Sequence, residues 1–126
     1  MQKDDFEKLV KKAVLELPKH IRQKMDNLEI VIEEEASFEQ LDKAGLGPGS
    51  SLLGLYQGVP QTKWGRGFGN ILPDKITIFK KPIERLARSE EEIIELVKNT
   101  VWHEIAHHFG FDERGVRQLE ARRKKR

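Results

Sequence analysis

Ser89-Glu90-Glu91-Glu92-Ile93-Ile94-Glu95-Leu96-Val97-Lys98-Asn99-Thr100-Val101-Trp102-His103-Glu104-Ile105-Ala106-His107-His108-Phe109-Gly110 reads as one helix with both ends marked. Ser89 and Glu92 have capping-box spacing, and three acidic residues in the first turn complement the positive end of the helix dipole. Gly110 stands where a left-handed C-terminal cap belongs. The spacing predicts a helix from about 90 to 109, roughly 30 Å long at 1.5 Å per residue. At 100° steps, His103, Glu104 and His107 share a broad arc with Ile93, Leu96, Val97 and Thr100, opposite Glu95, Lys98 and Asn99. The expectation is that the two histidines and the glutamate face inward. Trp102 and Phe109 fall nearer the polar arc and need cover from an N-terminal helix or the C-terminal segment.

Within this helix lies H-E-x-x-H. Two histidines four residues apart stand one turn above the other, so both rings reach a single tetrahedral zinc while Glu104 stays free as a general base. A chance match on an ordinary helix is the bland alternative, and the capped ends and the acidic residues past Gly110 tell against it. A catalytic zinc takes three protein ligands and keeps one position open. The third is expected just beyond Gly110, from Glu113 first and Asp112 in reserve, because the longer pattern H-E-x-x-H-x-x-G-x-x-(H/D) ends on Glu113. His108 points about 100° away from its ligand neighbour, so it is expected to pack or to hold a supporting hydrogen bond.

Working outward, Phe6, Leu9, Val10, Ala13, Val14 and Leu17 recur at helical spacing, predicting a first helix from about 5 to 17 that Pro18 ends. A short turn through Ile21 and Met25 follows, with His20 as a surface residue. Leu28 to Glu33 alternates as a strand, and Glu33-Glu34-Glu35 diverge rather than converge because consecutive strand residues point to opposite faces. Residues 36–50 carry turn chemistry throughout and are expected to form a flexible connection. A second strand follows over 51–57, where Gly54 marks a bulge or a close backbone approach. Residues 58–73 hold Trp64, Phe68 and three alternating glycines, the composition of a substrate-contacting flap rather than a phosphate loop. Asp74 to Lys80 reads as a third strand, expected at an exposed sheet edge with Lys75 and Lys80 outward.

The chain has 126 residues and no cysteine, so disulfides, thiol nucleophiles and cysteine-based zinc sites are excluded. Residues 114–126 hold seven Arg or Lys against one Glu, so most of the chain, 1–113, is mildly acidic and the end is basic. The expected organisation is one domain over 1–113 with a basic tail over 114–126. No signal peptide or membrane span is visible, which leads to the expectation of a cytoplasmic protein.

The piece Leu53-Gly54-Leu55-Tyr56-Gln57-Gly58-Val59-Pro60, the strand Ile76 to Phe79 followed by Pro82, and His103-Glu104-Ile105-Ala106-His107-His108-Phe109-Gly110 resemble the small bacterial zincin-like metallopeptidases over nearly the whole chain. The resemblance implies an α+β fold, a minimal zincin-like arrangement in which a few-stranded mixed sheet packs on an N-terminal helix and a long active-site helix. It also implies Zn²⁺ held by His103, His107 and a downstream acid, with Glu113 standing where the family pattern has Asp, and Glu104 as the base that hydrolyses a peptide or protein substrate. Tyr56 is then a candidate donor to the transition-state oxyanion or a wall of the cleft. Two rival functions accompany this one: a zinc-dependent ribonuclease contacting nucleic acid through the basic tail, and a non-catalytic zinc- or peptide-binding module.

Overall fold

A computed structural model describes residues 1–58 and 74–108. The first helix, α1 (Lys3–Leu15), buries Phe6, Val10 and Ala13 and is followed by the short α2 (Lys19–Gln23). Strand β1 (Leu28–Glu33) comes next, then α3 (Phe38–Lys43), β2 (Gly54–Gln57), β3 (Asp74–Phe79), α4 (Lys80–Leu86) and α5 (Glu90–His108). Both ends of α1 fall two residues earlier than the periodicity predicts, a displacement confined to its frayed turns. Among the described residues no helix is long and apolar enough to cross a membrane.

The sheet is mixed, in the order β1-β3-β2, with β1 parallel and β2 antiparallel to β3. Register sorts the side chains. Ile30, Ile76 and Tyr56 lie abreast on one face, as do Ile32, Ile78 and Gly54. This is the face that meets the helices: Ile76 and Ile78 join Phe6, Val10, Val97, Val101 and Ile105 in the core. The architecture is therefore α+β, a three-stranded mixed sheet packed with the N-terminal helix and the long helix α5.

The expectations for β3, for Lys80 and for residues 36–50 are corrected. β3 is the central strand, not an edge, and its residues Ile76 to Phe79 are buried on both faces. Lys80, expected to point out as an edge guard, is buried and pairs with Glu84 at 2.7 Å and Glu34 at 3.8 Å. Residues 36–50 are not an unbroken connection, because Ser37 and Gln40 form a reciprocal capping box that starts α3: Ser37 Oγ accepts from the Gln40 backbone at 3.2 Å and Gln40 Oε1 accepts from the Ser37 backbone at 2.8 Å. As the proline suggests, the strand does not continue to Pro82, because β3 ends at Phe79. Pro82 lies in the first turn of α4, where a residue without an N–H costs no helical hydrogen bond.

At the start of α5, Ser89 Oγ accepts from the Glu92 backbone at 3.2 Å, as expected, while the Glu92 carboxylate reaches back to the backbone N–H of Arg88 rather than Ser89. Trp102 is covered: it is buried, and His20 of α2, itself exposed, meets it edge-on with ring centroids 6.0 Å apart. Glu33, Glu34 and Glu35 diverge to Gln40, Lys80 and Arg85. The flap over 58–73 beyond Gly58, the Phe109 cover and the Gly110 cap lie outside the described residues.

Candidate functional site

Side chains four apart on a helix form a row, and α5 carries three rows with separate duties. Ile93, Val97, Val101 and Ile105 are buried and face the core. Thr100, Glu104 and His108 face β2. Beneath Thr100 sits Gly54, where a Cβ would overlap the Thr100 methyl and approach the Thr77 carbonyl oxygen to 3.2 Å. The close backbone approach expected at this glycine is thus what the strand makes. The Tyr56 backbone comes close enough to Glu104 to act on its carboxyl, and His108 stacks on the Tyr56 ring with centroids 3.8 Å apart and planes 14° from parallel.

The third row, His103 and His107, is exposed. The wheel placed both rings inward with the aliphatic residues, but its arc was too broad to separate the core row from its neighbours. Only Glu104, half-buried between the rows, is partly withdrawn. The imidazoles of His103 and His107 lie 12° from parallel with centroids 5.8 Å apart. Two imidazoles sharing one tetrahedral zinc, with bonds of about 2.0–2.1 Å, have ring centres roughly 5 Å apart. The pair therefore fits a shared ion in spacing, exposure and donor chemistry.

Burial lifts the Glu104 carboxyl above its ordinary pKa, while the charge of His107 and the Tyr56 backbone N–H pull it down. A carboxylate whose proton affinity is raised is better matched to taking a proton near neutrality. Tyr56 donates its hydroxyl proton to Asp74 Oδ2 at 2.7 Å, and burial together with that bond pushes the phenol well above its usual range. A hydroxyl has a single proton to donate. In this arrangement the Tyr56 ring lies against His108 and its hydroxyl proton is directed at Asp74. His108 Nε2 lies 3.7 Å from the same Asp74 oxygen.

Sequence reasoning passed over Asp74. The available signal was parity, since Asp74, Ile76 and Ile78 alternate onto the face that meets α5. Asp112 and Glu113, the candidates for the third ligand, lie outside the described residues, and among the described residues no cluster of three metal-binding side chains forms. A groove of about 650 Å³ opens elsewhere, between α1 and β1, lined by Val10, Val14, Leu15, Ile30, Val31 and Ile32. It holds no histidine, and its chemistry does not compete with that of α5.

The mixed sheet, the long helix behind it and an outward histidine pair flanking a half-buried glutamate are the described features that bear on a metal site. A family model described as zincin-like metallopeptidase matches residues 25–123, and the chain belongs to that family. Among curated proteins, none matches the chain. Membership implies a bound metal, and the histidine pair is the described feature that suits one.

Proposed function

We propose that the chain is a zinc-dependent peptidase in which His103, His107 and Glu113, with Asp112 in reserve, hold the ion and Glu104 is the general base. The observation that carries this reading is the three-row division of α5, which sets Glu104 between two outward imidazoles and the strand β2. Zinc held there would supply Lewis-acid polarisation of a carbonyl and acidification of a water molecule. Glu104 takes a proton from water as the oxygen attacks the peptide carbon, then returns it to the leaving amine as the C–N bond breaks. The Tyr56 backbone N–H beside Glu104 favours the charged carboxylate.

Substrate binding belongs at β2, not β3, whose two sides are already paired. Among the described residues β2 pairs only with β3. The N–H of Tyr56 leaves the free edge toward Glu104, and the carbonyl of the same residue leaves by the same edge. An extended peptide adding to that edge would lie alongside Glu104. The catalytic unit in this proposal is residues 1–113, with 114–126 as a basic appendage.

The Glu104→Gln variant tests it. Zinc content by elemental analysis is expected to stay at the parent value while peptide hydrolysis falls by at least about a hundredfold. His103→Ala and His107→Ala are expected to lose the ion. Hydrolysis retained in Glu104→Gln would sink the assignment.

A further inference from the structure

Asp74 stands at the first position of β3, and side chains from β2 and α5 converge on its carboxylate. The Tyr56 hydroxyl donates to Oδ2 at 2.7 Å, the His108 Nε2 lies 3.7 Å from the same oxygen, and a Cβ at Gly58 would come within 3.7 Å of Oδ1 and 3.4 Å of His108 Cε1. Gly58 thus passes within ordinary packing distance of both the carboxylate and the ring. Tyr56 and His108 are stacked face to face above it. Strand β2 is thereby fixed to α5 on both sides of Glu104: one turn before it, where Gly54 seats Thr100, and one turn after it, where Tyr56 and Asp74 hold His108. Between these two fixings the Tyr56 backbone meets the Glu104 carboxylate.

We propose that Asp74 is a positioning residue of this site: by holding the Tyr56 hydroxyl beside the His108 ring it clamps β2 to the last turn of α5 and sets the Tyr56 backbone N–H against Glu104. Asp74 acts through Tyr56 and makes no contact with the reacting atoms. A four-residue edge strand has few ladder bonds of its own, so a bond at its far end governs where its backbone lies. The catalytic consequence rests on the peptidase reading above, whereas the clamp itself does not.

The test compares the parent chain with Tyr56→Phe, which keeps the stacked ring and removes the hydroxyl, with Asp74→Ala, and with Asp74→Asn, which keeps an oxygen able to accept the hydroxyl proton. Amide hydrogen exchange at position 56 is expected to quicken by at least about tenfold in Tyr56→Phe and Asp74→Ala while amides of β3 keep their protection. Where a peptide is turned over, kcat should fall by about tenfold or more with KM unchanged. Asp74→Asn should restore both readouts, and the Tyr56→Phe, Asp74→Ala double variant should be no worse than either single one. Unchanged exchange at position 56 in the two disruptive variants overturns the clamp, and so do costs that multiply in the double variant. If the parent chain cleaves no peptide, the peptidase reading fails while the exchange experiment still decides the clamp.

Discussion

Thr77 is fully buried at the centre of β3, and among the described residues its hydroxyl has no hydrogen-bond partner. A buried polar group left unmatched costs about 1–3 kcal/mol. Thr77→Val keeps the branched shape and removes the hydroxyl, so the variant is expected to be more stable by about 1 kcal/mol, read as a higher urea midpoint with an unchanged slope. A lower midpoint would mean that the hydroxyl is satisfied. Thr77 pairs with Leu55 on the face away from α5, so zinc content should not change. The residue also shows how one alternation can mislead. In the sequence Thr77 is the polar partner between two isoleucines, the pattern of a half-exposed strand, and only its neighbours on both sides place it inside.

At the scale of the element, β2 lies against α5 because Gly54 leaves room for Thr100. Gly54→Ala puts a methyl into that contact and is expected to cost about 1–3 kcal/mol of stability. Thr100→Ser removes the opposing methyl and should recover part of the loss in the double variant, measured as a coupling between the two sites by denaturation. Additive effects would place the strain elsewhere. Elements whose signals are local were legible in the sequence: the Ser89 start of α5, the alternation of β1 and the histidine pair all rest on residues within one or two turns of each other. α3 was hidden because the glycines at 45, 47 and 49 drew the reading of its neighbourhood toward turns, although Ser37 and Gln40 had capping-box spacing. α4 was hidden because Pro82 marks the end of a strand as readily as the first turn of a helix, and only the latter use shows in the fold. The Asp74, Tyr56 and His108 convergence brings together three separate elements, and nothing short of the strand register relates them.

Taken as a whole, the molecule places a buried cation, Lys80, where α4 meets the residues after β1. Lys80 bonds Glu84 and approaches Glu34, and the hydrogen bond between Lys80 and Glu84 holds the lysine above its ordinary pKa and the glutamate below its own. The lowered Glu84 contributes stability that is present above the unfolded carboxyl value of about 4.3 and is lost as pH falls through its folded value. The raised Lys80 contributes stability that is present below about 10.4 and is lost as pH rises through its folded value. Glu84→Gln is therefore expected to lower the urea midpoint at pH 7 and to converge with the parent chain as pH drops below about 4. A gap that persists at low pH would argue for packing rather than charge. The strand order also governs how the chain assembles. β1 and β2 never touch in the sheet, and Ile30 must wait for Ile76 before it has a partner. During synthesis β1 and β2 emerge before either has its partner, since the strand that joins them is the last of the three to be made. It is followed at once by α4 and α5, so this protein is expected to acquire its β-structure and its histidine pair in the same late event, with no finished scaffold onto which an active helix is later docked.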